Sequence, residues 1–463
     1  MTGAGGSGAT SGRDLARAVL LRVERDGAFA GRALAAALER APGMSAPDRG
    51  LATELVYGVL RRRARLDRAI AALARKGIDA LDLEVRIALR VGGYQLLFLD
   101  RVPAYAAVSD AVEACKQARG RGAAGFANAV LRKLARGNEP PLPAAAGDPA
   151  AFLEIAVGFP PWLARLTLAE LPVADAIAFG EASAAAPPVT LRANTPRIGR
   201  EALLERLRAE RPEARLATSE IAPDAVLARG LEAPAATGAW RDGLFAVQDA
   251  GAQVIAELCG AAPGERILDA CAGLGGKTAH LLALAGGRAQ VDAADLSQAK
   301  LREAGQTLER LGLGPVRSVV ADLTRPLAGE LSGYDRVLLD APCSGLGVLR
   351  RHPEALLRRT PADLAALAIA QRRMLDVVST ALRPGGLLVY AVCTFDRAEC
   401  EEVVAGFLGE HPSFALEPAA AAGGRVAWDR LTIAGGPLAA AIRTWPQRDD
   451  ADGFFAVRLR RAG

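Results

Sequence analysis

The 463-residue sequence is poor in cysteine and histidine and lacks long apolar runs. Its six cysteines include no Cys-x-x-Cys pair, so neither a disulfide framework nor a zinc site is expected. The three histidines, His280, His352 and His411, are too scattered to suggest a metal, and we expect none. No segment is apolar enough to span a membrane, and the polar start MTGAGGSGATSGRD contains no signal-peptide core. These absences predict a cytoplasmic protein with no membrane partner; we also expect a monomer.

Positive charge is concentrated in the N-terminal quarter of the chain. Residues 13–136 carry 23 Lys and Arg against 13 Asp and Glu, a net charge of +10, whereas the remainder carries 34 against 39, a net charge of −5. A basic region beside a near-neutral one suggests a polyanion that is held by the first and modified by the second. A solvated helical surface is the alternative that charge alone leaves open.

Hydrophobic periodicity divides the chain into three predicted domains. Apolar residues at three- and four-residue spacing predict an all-α bundle over residues 13–137. The stretch GNEPPLPAAAGDPA is typical of a linker, and residues 151–245 indicate a small mixed α/β domain. Over residues 246–463, strand and helix patterns alternate, which predicts a parallel, doubly wound Rossmann-like sheet with DGFFAVRLR as an added antiparallel strand. Ligands of such folds bind beyond the carboxyl ends of the strands.

The small mixed domain shows no catalytic pattern. Its PPVTLRANT and PDAVLARG stretches predict strands, and REALLERLRAE predicts a helix. Arg192 and Asn194, within LRANT, are candidate RNA contacts, although polar residues are common on any protein surface.

A glycine-rich turn, DACAGLGGKT, follows the first strand of the C-terminal domain and opens a helix. A phosphate-binding P-loop would need glycine at position 271, which is Cys271, so that interpretation fails at its defining residue. The glycines instead suit a nucleoside cofactor, because they let it approach the backbone closely.

Acids mark the ends of four successive predicted strands: Asp269, Asp295, Asp322 and Asp340. Asp295 is placed to accept the ribose hydroxyls of an adenosine-type ligand, and Asp322 to meet an adenine amino group. A single such acid is commonly a capping residue, but four in succession weaken that alternative. NAD would satisfy Asp295 as well, but a dehydrogenase does not explain two cysteines at strand ends, whereas S-adenosylmethionine has the same adenosine half and delivers a methyl group.

Two cysteines end apolar runs, Cys343 in LLDAPCSGLGVLRRHPE and Cys393 in GGLLVYAVCTFD. A cysteine thiolate that adds to C6 of cytosine raises the electron density at C5, which can then accept a methyl group. An acid near N3 assists, and Asp340 is three residues before Cys343. The residues alone leave open which cysteine attacks. Three further cysteines are expected to be ordinary core residues: Cys115, Cys259 and Cys400.

Three motifs resemble those of the RsmB/Nop2/Sun family of RNA cytosine-C5 methyltransferases: DACAGLGGKT, DAPCSGLGVLRRHPE and VCTFDRAECEEVV. Their order and spacing match over residues 248–460, and VPAYAAVSDAVEACKQ with GFANAVLRKL is similar to a NusB-like RNA-binding domain. This pairing resembles the RsmB-type members, which act on small-subunit rRNA. The resemblance implies transfer of a methyl group from S-adenosylmethionine to C5 of a specific cytosine in that RNA, naked or in an early assembly intermediate.

The resemblance also implies roles for individual residues. Cys393 would be the nucleophile, Cys343 would assist release of the covalent intermediate, and Asp340 would contact the base or the cofactor. The implied cofactor residues are Cys271, Ala272, Gly273, Leu274, Gly275, Gly276, Lys277, Asp295, Asp322 and Asp340.

Two positions depart from the family pattern: Gly273-Leu274 stands where Ala-Pro is usual, and Val392 where Thr is usual. Neither departure removes a chemical group that the mechanism needs, so we expect an active enzyme. A tRNA substrate is one alternative, and a non-catalytic RNA-binding or ribosome-assembly factor is another. The presence of Cys393, Cys343, Asp340 and Lys277 counts against the second alternative.

Overall fold

The computed structural model describes residues 11–74, 77–231, 233–327 and 331–463 and divides the chain into two compact units. Unit 1 comprises the described residues up to Ala186 together with Leu349–Arg358, and unit 2 comprises those of Pro187–Val348 and Arg359–Gly463. The division falls inside the segment 151–245, so the three domain boundaries given above stay a prediction. Across the described ranges, no helix is both long and apolar enough to cross a membrane.

The described residues of unit 1 form helices and no strand, which confirms the predicted all-α region. Its helices are α1 (Gly12–Asp26), α2 (Ala30–Glu39), α3 (Ala46–Arg61), α4 (Arg63–Leu73), α5 (Leu83–Phe98), α6 (Ala104–Leu134), α7 (Pro149–Ala151), a π-helical turn (Phe152–Val157), α8 (Pro161–Glu170) and α9 (Val173–Ala184). Helix α6 breaks at Arg119 and Gly120, where Gly120 has a φ of 77°.

Helix ends in unit 1 follow local sequence signals. The Ser11 side chain accepts a hydrogen bond from the backbone N–H of Asp14 and caps α1, and Gly27, with a φ of 64°, ends it. Ser45 caps α3 in the same way. Apolar residues of α1, α2, α3 and α5 form one core, and those of α5 and α6 form a second core that includes the fully buried Cys115.

Unit 1 also contains Leu349–Arg358, a segment far away in sequence. The buried carboxylate of Glu354 accepts a hydrogen bond from the backbone N–H of Ala30, 3.2 Å away. The guanidinium carbon of Arg358 lies 4.4 Å from the ring centroid of Phe29. Because α2 has no capping side chain at its own N-terminus, Glu354 supplies the acceptor there.

Unit 2 contains a small antiparallel sheet with the strand order β2-β3-β1-β4. The strands are β1 (Val189–Ala193), β2 (Arg215–Thr218), β3 (Ala225–Arg229) and β4 (Phe245–Val247), accompanied by α10 (Arg200–Glu210) and α11 (Gly238–Arg241). Strands β1 and β3 and helix α10 lie where the sequence predicts them, whereas β2 and β4 were not predicted.

Unit 2 also contains an eight-stranded sheet of order β10-β12-β9-β8-β5-β6-β7, with β11 paired to β12. Its strands are β5 (Arg266–Asp269), β6 (Gln290–Asp295), β7 (Val316–Val320), β8 (Tyr334–Asp340), β9 (Leu382–Val392), β10 (Phe414–Glu417), β11 (Ile442–Thr444) and β12 (Phe454–Arg461). Its helices are α12 (Ala250–Cys259), α13 (Gly276–Leu284), α14 (Gln298–Leu311), α15 (Pro361–Ser379), α16 (Glu401–Glu410), α17 (Trp428–Leu431) and α18 (Pro446–Asp449).

The five strands from β7 through β6, β5 and β8 to β9 are parallel, and β12 runs antiparallel to β9. This arrangement confirms the predicted Rossmann-like sheet and its added C-terminal strand. Because parallel strands end at one edge of a sheet, the residues that follow β5, β6, β7, β8 and β9 are brought to the same edge.

Candidate active site

The glycine-rich turn joins β5 to α13 at the carboxyl edge of the large sheet. Gly273 and Gly275 have φ values of 56° and 77°, a region that side-chain-bearing residues rarely adopt. A Cβ on Gly275 would lie 2.8 Å from the Cβ of Ala304, so only glycine fits there without displacing α14. The turn therefore packs its backbone closely against α14, and the Leu274 side chain is half exposed.

Two acids stabilise this turn from neighbouring strands. Asp269 ends β5 and accepts a 2.6 Å hydrogen bond from the hydroxyl of Thr278, while burial raises the pKa of Asp269 to about 6. Asp295 ends β6 and accepts hydrogen bonds from the backbone N–H groups of Gly273, at 3.1 Å, and Ser297, at 2.8 Å. Asp295 thus ties the glycine-rich turn to the end of β6.

Asp322 lies two residues after the end of β7. One of its oxygens accepts hydrogen bonds from the backbone N–H and the hydroxyl of Thr324, which lower the pKa of Asp322. Its side chain lines a shallow cleft of about 280 Å³, together with Val320 and Leu327. Asp322 is therefore a fixed acceptor on the wall of a cleft beside the strand edge.

Asp340 ends β8 and pairs with Lys277, the second residue of α13. The Nζ of Lys277 lies 2.6 Å from a carboxylate oxygen of Asp340, and the Lys277 and Asp340 side chains are 13% and 25% exposed. Burial alone would lower the pKa of Lys277, but the negative charge of Asp340, supported by Cys393 and Asp269, raises it above its ordinary value. Lys277 is therefore held as an ammonium beside a carboxylate at the sheet edge.

The two cysteines at the ends of β8 and β9 meet. The Sγ atoms of Cys343 and Cys393 are 3.2 Å apart. The hydrogen bond with Cys393, followed by burial and the charge of Glu399, raises the pKa of Cys343 well above its ordinary value. Burial and the neighbouring sulfur therefore favour the protonated form of Cys343, whose Sγ is in hydrogen-bond contact with that of Cys393.

Cys271 is a different kind of cysteine, although it lies in the same region. Burial, followed by the charges of Asp340, Asp269 and Asp295, raises its pKa far above that of a free thiol. Its side chain packs against the core between the large sheet and α15 and α16. Cys271 thus contributes packing to the turn, whereas Cys343 and Cys393 are the two cysteines whose sulfur atoms are in contact.

The loop that carries Cys343 is anchored by a buried acid. Glu399, fully buried, accepts hydrogen bonds from the backbone N–H of Ser344, at 2.9 Å, and from the side chain of Gln371, at 2.7 Å. Gln371 also donates to the carbonyl of Pro342. Glu399 and Gln371 could not be predicted as anchoring residues, because their role depends on contacts between residues that are far apart in the chain.

A third missed residue is Leu296, which directly follows Asp295 and is 71% exposed. An exposed leucine at a strand end offers an apolar surface to a ligand. The apolar residue after the acid in DAADLSQ is the sequence signal that points to it.

The expected RNA contacts of Arg192 and Asn194 are wrong, because both side chains are fully buried. Arg192 donates to the side chain of Gln248, at 2.5 Å, and to the carbonyl of Gly276, at 2.9 Å. Asn194 donates to two backbone carbonyls from its amide nitrogen. LRANT therefore connects the small sheet to the helix that begins after the glycine-rich turn.

Asp224, Glu257 and His280 lie close together in the interior of unit 2. Each has one nitrogen or oxygen atom that could bind a metal, and these atoms lie within 4.8 Å of one another. The guanidinium of Arg425 lies 2.6 Å from Asp224, and burial followed by the Asp224 charge raises the pKa of Glu257 to about 7. Arg192 faces the same two acids. The cluster is an internal ion network, and the expected absence of a metal stays a prediction.

The remaining cysteines are where ordinary packing predicts them. Cys115, Cys259 and Cys400 are fully buried among apolar residues, as expected.

Comparison with known proteins resolves the family. Residues 257–460 match the family described as 16S rRNA methyltransferase RsmB/F, residues 10–136 the NusB family, and residues 159–232 the ferredoxin-like domain of RsmF/B-like methyltransferases. The chain is 33% identical to the probable ribosomal RNA small subunit methyltransferase B of Synechocystis sp. over 98% of its own length and 100% of that relative. The chain belongs to the ribosomal RNA small subunit methyltransferase B family.

A second relative and two solved structures are also similar to the chain. The ribosomal RNA small subunit methyltransferase B of Pseudomonas putida is 36% identical over 89% of this chain and 90% of that relative. A methyltransferase homologue from Pyrococcus horikoshii, with a crystal structure, has a TM-score of 0.57 at 26% identity, covering 67% of this chain and 97% of that one. The crystal structure of PH0851 has a TM-score of 0.80 at 23% identity over 97% of this chain and 99% of that one, a likeness in fold.

Proposed function

We propose that the protein transfers a methyl group from S-adenosylmethionine to C5 of a specific cytosine in small-subunit rRNA, through a covalent bond between Cys393 and C6. The observation that carries this proposal is the pair of sulfur atoms 3.2 Å apart, beside the ion pair of Lys277 and Asp340. The substrate is inferred from the names of the relatives and from the net charge of +10 over residues 13–136.

The glycine-rich turn and its neighbours suit a nucleoside cofactor. Gly273 and Gly275 keep the turn free of side chains where it approaches α13, and Asp295 retains acceptor positions beyond its two backbone hydrogen bonds. Leu296 offers an apolar surface beside that acid, and Asp322 offers a carboxylate beyond it. S-adenosylmethionine would supply the methyl group that C5 of cytosine accepts.

The surroundings of the two sulfurs distinguish their roles. The hydrogen bond with Cys393 and burial raise the pKa of Cys343, so Cys343 is poorly suited to attack, and we assign the attack to Cys393. Lys277 brings a positive charge to the same place, and the charges of Asp340 and Cys393 raise the pKa of its ammonium. The Cys393 thiolate forms a bond to C6, and the electron pair of the C5–C6 double bond then becomes available at C5.

In the same reaction, the ion pair of Lys277 and Asp340 stabilises the charge that develops on the cytosine ring. As the ring accepts electrons, negative charge develops towards N3, and a hydrogen-bond donor or a positive charge there stabilises it. Lys277 supplies the positive charge and Asp340 fixes its position at 2.6 Å. The role that we give to Asp340 is to orient the ammonium and the base together.

Release of the product needs Cys393 to leave again. After the methyl transfer, loss of the C5 proton to a base restores the C5–C6 double bond, and the S–C6 bond breaks with its electron pair on sulfur. The thiol of Cys343, 3.2 Å from that sulfur, donates to it and so stabilises the departing thiolate. Removal of Cys343 should therefore slow release more than attack.

The test uses purified protein, labelled S-adenosylmethionine, and unmodified small-subunit rRNA or tRNA, with methylated cytosines mapped by bisulfite sequencing. We expect label at one cytosine of the rRNA with the wild-type protein and with Cys115→Ala, a control that removes a thiol of unit 1. We expect no label with Cys393→Ala. Label confined to tRNA would replace the substrate, and no label on any RNA would favour the non-catalytic alternative.

A further inference from the structure

Each of the two paired cysteines is followed by a buried residue that has a hydroxyl group. Ser344 follows Cys343 and Thr394 follows Cys393, and these two residues are only 1% and 2% exposed. The Oγ of Ser344 lies 2.8 Å from the Oγ1 of Thr394, and either hydroxyl can donate the hydrogen bond. The hydroxyl pair therefore joins the two loops at the residues directly beside the sulfur atoms, which are 3.2 Å apart.

Backbone contacts fix the two loops on which the hydroxyl groups lie. The N–H of Ser344 donates to Glu399 at 2.9 Å, and its carbonyl accepts a hydrogen bond from the guanidinium of Arg359 at 3.0 Å. Between the loops, the N–H of Gly347 donates to the carbonyl of Cys393 at 3.0 Å. These contacts hold the main chain, and the hydroxyl pair adds a side-chain link next to the sulfurs.

We infer that Ser344 and Thr394 are positioning residues, whose hydroxyl–hydroxyl hydrogen bond keeps the sulfur atoms of Cys343 and Cys393 in contact. Because both residues are buried, a hydroxyl that lost its partner would remain unpaired, and the loops would separate to relieve this. The catalytic consequence rests on the proposed function, since Cys343 stabilises the departing thiolate only while the sulfurs stay within hydrogen-bond reach. The sulfur contact itself does not depend on that function.

The sulfur contact is tested by oxidising the full-length protein with diamide, without RNA or cofactor. The two thiols lose two protons and two electrons to diamide, which becomes a hydrazine, and an S–S bond forms between Cys343 and Cys393. The rate of this bond's formation, followed by mass spectrometry of the linked peptides, reports how often the sulfurs meet. Ser344→Ala and Thr394→Val should each slow it by about 3- to 10-fold, the range of one lost hydrogen bond.

Two kinds of control separate this effect from a general loss of structure. Ser379→Ala and Thr167→Val also remove buried hydroxyls, but those hydroxyls bind carbonyls within their own helices, so both variants should oxidise at the wild-type rate. Thr394→Ser keeps the hydroxyl and should also oxidise like the wild type. A rate in Thr394→Ser as slow as that in Thr394→Val would overturn the inference, as would wild-type rates in Ser344→Ala and Thr394→Val.

The double variant tests whether the two hydroxyls act as one unit. If they do, Ser344→Ala with Thr394→Val should oxidise no more slowly than the slower single variant, because the first substitution already removes the shared hydrogen bond. Losses that multiply in the double variant would overturn the pairing. Absence of the Cys343–Cys393 bond in the oxidised wild type would overturn the sulfur contact on which the inference rests.

The consequence for the reaction is tested with small-subunit rRNA and labelled S-adenosylmethionine. In Ser344→Ala, the amount of RNA-linked protein per methyl group transferred should rise by about 3- to 10-fold, because release slows more than attack. A merely structural defect would lower linked protein and methylation together, and that result would overturn the positioning role in release. If the wild type methylates no RNA, the proposed reaction fails, whereas the diamide experiment still decides whether the hydroxyls position the sulfurs.

Discussion

Gly275 and Gly276, adjacent glycines at the start of α13, have different surroundings, and this difference predicts opposite effects of one substitution. Gly275 has a φ of +77°, and a Cβ there would lie 2.8 Å from the Cβ of Ala304 and 3.2 Å from its Cα. Gly276, the first residue of α13, has no atom within 4 Å of the same added carbon. Gly275→Ala should therefore be strongly destabilising, and Gly276→Ala should not.

The loss of stability expected for Gly275→Ala has two contributions. A left-handed conformation costs a residue with a Cβ about 1–2 kcal/mol, and overlap with a packed neighbour costs about 1–3 kcal/mol. We therefore expect Gly275→Ala to lower the free energy of unfolding by about 2–5 kcal/mol. Gly276→Ala should leave it unchanged or raise it by up to about 1 kcal/mol, because alanine favours a helix over glycine.

The assay is equilibrium unfolding in urea without cofactor, so that the free energy reports the turn and not ligand binding. The two variants have the same added methyl group, one position apart, and each serves as the control for the other. Equal free energies of unfolding for Gly275→Ala and Gly276→Ala would refute the conformation assigned to this turn.

Three further predictions follow from buried groups of unit 2. Glu399→Ala removes the acceptor of the Ser344 N–H, so urea unfolding should show a loss of about 1–3 kcal/mol together with lower methylation; wild-type activity would contradict its anchoring role. Arg192→Gln removes the buried guanidinium that faces Asp224 and Glu257, leaves Arg425 as the cation beside Asp224, and should cost about 1–3 kcal/mol of stability, with unchanged affinity for RNA in the folded protein. Because burial raises the pKa of Asp269 from 3.8 to about 6, the stability of the wild type should fall relative to Asp269→Asn as pH rises from 4 to 6, by about 2 kcal/mol in pH-dependent calorimetry. The reason is that the Asp269 carboxyl binds its proton more tightly in the folded state than in the unfolded state across that pH range. A difference in stability between the wild type and Asp269→Asn that does not change with pH would contradict the buried position of Asp269.

The parts of the fold that depend on local periodicity were predictable. The helices of unit 1 and the alternating strands and helices after residue 246 follow from the spacing of apolar residues, and the edge position of the strand-end acids follows from a parallel sheet. Strands β2 and β4 were not predictable, because four and three residues carry too little pattern. The inclusion of Leu349–Arg358 in unit 1 depends on long-range packing that no local signal contains.

The predictable part of the candidate site consists of reactive side chains that follow the ends of parallel strands. Cys343 and Cys393 follow adjacent parallel strands, so their proximity follows from the topology once the sheet order is known. The pairing of Lys277 with Asp340 depends on how α13 packs on the sheet, which the sequence does not specify. Arg192 was wrongly predicted to contact RNA for a related reason. A polar residue in a short strand is expected to be exposed unless its buried partners are known, and the sequence does not identify them.

The most direct test of attack by Cys393 is to trap the covalent intermediate. Cys343→Ala is incubated with unmodified small-subunit rRNA and S-adenosylmethionine, and the RNA-linked protein is digested and analysed by mass spectrometry. We expect one linked peptide, containing Cys393 and a methylated cytidine, and no adduct when Cys393→Ala is added to the same chain. An adduct that persists without Cys393, or that forms on Cys343 in the Cys393→Ala protein, would contradict the assignment of the nucleophile.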